Sequence, residues 1–278
     1  MTPRIWLTVP TFNEAGNVER IVRSTVDQLE LVAPGDHRLV IVDDASPDGT
    51  GELADGLARE LPSVEVLHRP ARRGLGQAYL AGFERALEGG AQLVIVMDAD
   101  FSHDPAHLPA LIAAAQHHDI VLGSRYAPGG QIVAWPRLRR VLSRAGSRYA
   151  RSLLGVHVRD LTGGYRCIRR EVLEGVDMQT LRSQGYVFNI ELTYRALRAG
   201  FRLVEVPITF RDRTVGDSKI SLPIAIEALW LVPSLRFPRL ARRWPARGAP
   251  AAASPAQAQA RRIGGPLGVG APAAPSDQ

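Results

Sequence analysis

The sequence predicts an α/β fold in which a mostly parallel central sheet is flanked by helices. Two observations carry that expectation. Short, nearly continuous apolar runs alternate with segments of helical spacing through residues 1–125, and strands of that kind belong to parallel sheets covered on both faces. Each apolar run also ends in polar or charged residues. At 278 residues and 45% hydrophobic content, the chain suffices for one large domain or two small ones.

The elements follow in order. "RIWLTVP" (4–10) reads as a strand. Residues 14–32 place Val18, Ile21, Val22, Val26 and Leu29 at helical spacing. "RLVIVDD" (38–44) is a strand and 48–62 a helix. "VEVLH" (64–68) is a strand, and 74–90 a helix closed by glycines. "AQLVIVMD" (91–98) is a strand. Asp104 before Pro105 reads as the N-cap and first position of a helix through Ala115. "DIVLGSR" (119–125) is a strand and 137–154 a helix. "TGGYRCI" (162–168) is a turn and short strand, 189–200 a helix and 201–210 a strand.

In such sheets ligands sit beyond the carboxyl ends of the strands. Asp98 and Asp100 stand at one such end, Asp43 and Asp44 at a second, and Glu14 follows a third. Two carboxylates at i and i+2 can share a hard divalent cation, and Mg²⁺ favours one or two carboxylates plus phosphate oxygens. Capping a turn is the alternative use of such a pair. Acids gathered around one crevice favour the cation.

The net charge of +6 is uneven. Between Arg137 and Arg170 ten arginines face one acid, Asp160. Such a patch calls for an anionic partner. Aromatics are 6% and none alternate with the basic residues, which disfavours nucleic acid. The single cysteine, Cys167, excludes a disulfide framework and makes a reducing, cytosolic setting the default. The first residues show no signal peptide, and no run of about 18 apolar residues marks a spanning helix.

"VPTFNEAGNV", "VDDASPDGT", "RGLGQAYLAGF", "MDADFSHDP" and "GSRY" together resemble the GT-A fold glycosyltransferases of family 2. "WPRLRRVLSR", "DLTGGYRC", "GYVFNIE" and "FRDRTVGDSKI" resemble, within it, the dolichol/polyprenol-phosphate mannose synthases. The likeness implies one GT-A catalytic domain over 1–220, with a nucleotide-sugar half (1–125) and an acceptor half (126–220). An apolar interfacial segment (221–240) would follow, and 241–278, rich in Ala, Pro and Gly, reads as disordered.

The resemblance also implies roles. Pro10, Phe12 and Glu14 would contact the nucleotide, and Val42, Asp43 and Asp44 the base and ribose. Asp98, Ala99 and Asp100 form the D-x-D motif where metal and diphosphate meet. Ser102 stands where some relatives place a metal-holding Gln. Arg125, Arg213 and Lys219 would face the phosphates and, with Asp100, carry catalysis. The implied reaction moves mannose from GDP-mannose to a polyprenyl (dolichyl) phosphate with inversion, using Mg²⁺ or Mn²⁺, at the cytoplasmic face of a membrane. A polyprenyl phosphate, with a second pKa near 6, needs no strong base.

Rival readings are a UDP-sugar donor such as UDP-glucose, a nucleotide-binding scaffold, and an arginine-helix nucleic-acid binder. His103 and His107 lie at i, i+4, a zinc-like spacing, but read better as a surface helix. Glu191 divides between an acceptor-side residue and an ordinary helix acid. On helix 137–154, Leu138, Val141, Leu142, Ala145, Tyr149 and Leu153 form one stripe and arginines another, the pattern of a helix lying on an anionic membrane. The alternative turns its leucines into the core. Residues 220–237, with Trp230 and Glu227, offer a second membrane contact, and an integral-membrane partner a further anchor.

Overall fold

The computed structural model describes residues 4–181, 185–212 and 231–237. Seven strands form one sheet in the order β3-β2-β1-β4-β7-β5-β8. They are β1 (Ile5–Thr11), β2 (His37–Asp43), β3 (Val64–His68), β4 (Leu93–Val96), β5 (Ile120–Ser124), β7 (Arg166–Arg169) and β8 (Leu203–Pro207). β6 (Gln131–Val133) and β9 (Thr209–Arg211) pair separately. The helices are α1 (Val18–Val32), α2 (Thr50–Glu60), α3 (Leu75–Glu88), α4 (Leu108–Ala114), α5 (Arg137–Leu154), α6 (Arg170–Gly175) and α7 (Gly185–Arg198).

The expected mostly parallel α/β sheet is present, with one inversion. β7 runs antiparallel to both β4 and β5. A strand from the second half of the chain therefore completes the sheet begun by the first half. Alternation along each strand divides the core. Ile5, Leu7, Val9, Leu39, Ile41 and Ile95 pack with α1, α2 and α4. Trp6, Val40, Val42, Val94 and Val96 meet Tyr79 and Phe83 of α3 and Phe188 and Leu192 of α7. Each such fully buried side chain contributes about 1.5–3 kcal/mol. α3 approaches β1 closely because Gly82 has no side chain; a Cβ there would lie 2.2 Å from Thr8 Cγ2.

Element ends differ from the sequence reading for local reasons. The 91–98 strand stops at Val96, because the Asp98 N–H turns away to His103 Nδ1 (3.1 Å). The 201–210 strand breaks at Ile208: β8 pairs with β5 and β9 with β6. Asp104 caps as expected, accepting the Ala106 N–H at 2.9 Å, but the first turn (Pro105–His107) is 3₁₀.

On α5 the first two turns do not face the core. Leu138, Val141 and Leu142 are 71%, 62% and 63% exposed, while Ser147, Ala150 and Leu154 point inward. Among the described residues no helix is long and apolar enough to cross a membrane.

Candidate active site

The carboxyl ends of β1, β2 and β4 open onto one crevice. The β1–β2 register sets Pro10 beside Val42 and Thr11 beside Asp43. Asp43 is buried and accepts the Thr11 hydroxyl (3.2 Å) and the Ser46 N–H (3.2 Å). Asp44 is also buried, and its carboxylate pairs with Arg69 and receives the N–H groups of Arg73 (3.2 Å) and Gly74 (3.1 Å). Asp44 thus pins the loop between β3 and α3, a structural duty in addition to the ribose contact expected of it. That loop places the Arg72 guanidinium 3.8 Å above the Phe12 ring. Glu14 accepts the Asn17 amide (2.9 Å) at the entry to α1. The Val42 and Ala99 side chains lie in the core.

After β4 the chain makes a tight turn in which Phe101 takes a left-handed backbone (φ 60°), uncommon for a non-glycine residue. The turn brings Asp98, Ser102 and His103 to one cavity. Asp98 accepts the Tyr79 hydroxyl at 3.3 Å, and its side chain stays 28% exposed. Asp100 is buried and takes the Ser102 N–H at 3.0 Å. Ser102 Oγ is buried with no hydrogen-bond partner. Two carboxylates and an orphaned hydroxyl are hard oxygen donors, and that set suits Mg²⁺ or Mn²⁺ completed by phosphate oxygens.

His103 does not sit on a surface helix. It is 2% exposed and stacks on Tyr165 (4.9 Å between centroids). Burial depresses its pKa, outweighing the opposite pull of Asp98 and Asp100. Its Nδ1 accepts from the Asp98 backbone, so the neutral ring carries its proton on Nε2. His107 instead accepts the Thr209 N–H at 3.0 Å. The two imidazoles serve separate strand connections.

The opposite wall carries two arginines. Arg125 and Arg139 line the cavity with Trp135 and Phe210, alongside Thr162, Gly163, Gly164 and Asp212. Arg125 is no loose phosphate clamp. Its Nε and Nη2 hold the two oxygens of Asp160 (2.7 and 2.6 Å), and Nη2 also reaches Thr162 Oγ1 (2.8 Å). Both partners are buried, Asp160 completely. Burial pushes the Asp160 carboxyl up, and the Arg125 charge and hydrogen bonds outweigh it, holding it below the usual range. Arg139 pairs with Asp212 at 2.9 Å. Behind this wall, buried Arg166 ties the 161–163 turn to α7 through Leu161 O, Gly163 O and Thr193 Oγ1. Glu191, also buried, pairs with Arg195 one turn along α7. Arg213, Lys219 and Trp230 lie outside the described residues.

Sequence reasoning missed Asp160, Arg139, Trp135, Tyr79 and the burial of His103. The signal for Asp160 was present: it is the one acid among ten arginines between 137 and 170.

The chain matches the family model described as glycosyl transferase family 2 across residues 6–176. It is 46% identical over 226 residues to the undecaprenyl-phosphate mannosyltransferase of Micrococcus luteus, covering 81% of this chain and 91% of that one. It is 47% identical over 233 residues to the polyprenol monophosphomannose synthase of Mycolicibacterium smegmatis, covering 83% and 86%. Among solved structures it resembles glucosyl-3-phosphoglycerate synthase from Mycobacterium tuberculosis. The form with Mn²⁺, UDP-glucose and phosphoglyceric acid gives a TM-score of 0.60 at 19% identity, over 86% of this chain and 80% of that one. The form with Mg²⁺ and UDP gives 0.59 at 19% identity, over 84% and 80%. These structural likenesses establish the fold.

Proposed function

The chain belongs to glycosyl transferase family 2, and on that premise we propose that it transfers mannose from GDP-mannose to a polyprenyl (dolichyl) phosphate with inversion. The observation that carries this reading is the two-sided cavity. Asp98 and Ser102 form one wall, Arg125 and Arg139 the other. A metal-bound diphosphate suits the first wall and an anionic acceptor the second. The names of the two curated relatives support the same lipid phosphate and the same sugar.

Asp98, Asp100 and Ser102 would hold Mg²⁺ or Mn²⁺, which when bound neutralises the departing nucleoside diphosphate. The acceptor phosphate oxygen attacks the anomeric carbon. The bond from that carbon to the diphosphate oxygen breaks, and GDP leaves with the electron pair. The new sugar phosphate is β-linked. The acceptor is ionised at neutral pH, so the cavity needs no general base. It must bring two anions together, and fixed cations in a water-poor site do this well. Asp160 holds the Arg125 guanidinium in one orientation. The Trp135 ring lies 4.2 Å beneath the Arg139 guanidinium. An acceptor borne by a lipid places the work at a membrane surface, on the cytoplasmic face where the nucleotide sugar is.

The test is a donor panel with the purified full chain, a polyprenyl phosphate, and Mg²⁺, Mn²⁺ or chelator. Metal-dependent mannolipid formation from GDP-mannose, at least tenfold faster than glucolipid formation from UDP-glucose, is the expected result. Preference for a UDP-sugar, or undiminished product in chelator, refutes the corresponding part.

A further inference from the structure

We infer that a concavity beside the reaction cavity binds the phosphate of an anionic phospholipid headgroup and so orients the enzyme on the bilayer. The inference rests on the lipid character of the acceptor proposed above. The concavity lies between α5 and the connection that follows β5. Its wall carries Arg144, Arg148 and Arg151 from α5, with Arg159 beyond the helix end and Tyr126 and Val141 beside them. Arg125, at its inner end, belongs to the reaction cavity.

Three features separate this groove from an ordinary solvated helix face. First, positions 144, 148 and 151 are spaced i, i+4, i+7, so the three guanidinium groups share one face of the helix. Arg159 brings a fourth to the same hollow. Second, among the described residues none of the four side chains has a carboxylate partner. Glu205 is turned to the backbone N–H groups of Arg159 (2.8 Å) and Asp160 (2.9 Å). By contrast, the neighbouring Arg125 is paired with Asp160 and Arg139 with Asp212. Like charges converging on a concave surface raise its potential and attract an anion. Third, the adjoining face of the same helix is apolar and bare. Leu138, Val141 and Leu142 stand 62–71% exposed at i, i+3, i+4. Val141 borders both faces. A soluble anion has no use for that ridge. A bilayer uses both, with the ridge at the acyl boundary and the guanidinium groups at headgroup depth. Arginine's planar fork suits a phosphate oxygen pair.

The experiment is flotation of the full chain with phosphatidylcholine vesicles with and without phosphatidylglycerol. The intact protein floats with the anionic vesicles. The triple variant Arg144→Gln, Arg148→Gln, Arg159→Gln loses roughly a hundredfold in partition, about fivefold per residue from ~1 kcal/mol each. A control triple on the opposite half, Arg4→Gln, Arg38→Gln, Arg59→Gln, removes the same charge from exposed positions and changes partition less than about fivefold. Leu138→Ser with Leu142→Ser weakens binding that survives added salt. Equal losses from the two arginine triples reduce the groove to net charge and overturn the inference. So does an intact protein that stays soluble, floats equally with neutral vesicles, or is displaced by inorganic phosphate at matched ionic strength. Tight RNA binding lost in the first triple overturns it in favour of nucleic acid. In detergent, the first triple keeps wild-type turnover on polyprenyl phosphate. A chain that floats but transfers no mannose refutes the transferase reading and leaves the docking site standing.

Discussion

Asp160→Asn isolates the buried ion pair from every packing effect. The two side chains have nearly the same volume, so no cavity opens. The aspartate takes the Arg125 backbone N–H (2.9 Å) and its Nε and Nη2 (2.7 and 2.6 Å). Asparagine can accept on one oxygen only, and its NH₂ would point a donor at a guanidinium. The arginine charge is then left in a pocket where it is 8% exposed. Removing one partner of such a pair costs about 3–5 kcal/mol. For a domain of this size each kcal/mol shifts Tm by roughly 2–4 °C, so Tm should fall by roughly 6–20 °C. Thermal unfolding followed by circular dichroism at neutral pH reads this directly. Arg125→Met should also destabilise, and the double variant should melt above Asp160→Asn alone, because no orphaned charge remains. If Asp160→Asn melts within about 2 °C of the parent, a cost below ~1 kcal/mol, the pair is solvated and the rigid arginine wall does not exist.

Three further outcomes follow. Asp100→Ala abolishes transfer and metal-dependent GDP binding while leaving the melting curve in place, and Asp98→Ala is nearly as severe. Calorimetric titration with GDP and Mn²⁺ decides it, and more than a tenth of parental activity in Asp100→Ala removes the metal assignment. Gly164→Ala puts a methyl 3.3 Å from His103 Cε1 and Tyr79 Oη; these two must give by a few tenths of an ångström, and because the Tyr79 hydroxyl holds Asp98, kcat should fall measurably, whereas unchanged turnover in a steady-state assay would show that the turn has slack. Asp160 also gives an acid limb: its folded pKa lies below the ordinary 3.8, so the native state binds fewer protons than the unfolded chain. Its stabilisation is complete above about pH 5 and is lost as pH falls through the lower folded value, a limb that denaturant melts should find missing in Asp160→Asn.

The parallel framework was legible because its signals are local. β1, β2 and β4 are apolar runs, and Asp98 follows one of them abruptly. The antiparallel β7 was not legible, since "RCIR" carries no mark of its neighbours. Its place between β4 and β5 is set by contacts from across the chain. His103 misled for a related reason. Its spacing from His107 suits one helix face, but Asp104 between them is extended and caps the turn that begins at Pro105, so His103 lies outside the helix. Arg125 was read as a candidate site residue and its restraint was not foreseen, because Asp160 lies 35 positions away. The α5 stripe was legible as a pattern; which way it faced depended on what the rest of the fold left uncovered.

The inverted strand also governs how the protein must be made. β4 is buried along its whole length, yet one of its two edges is covered only by β7, about 70 residues downstream. A ribosome adding about 5–20 residues per second needs roughly 4–14 s to supply that partner. During that interval Leu93–Val96 is an open, apolar strand edge, the kind of template on which chains aggregate. Yield should therefore respond to translation speed and holdase chaperones across 97–165 far more than to stability of the finished fold, and a chain truncated just before Arg166 should be captured insoluble while one extended past β8, which covers the outer edge of β5, is not.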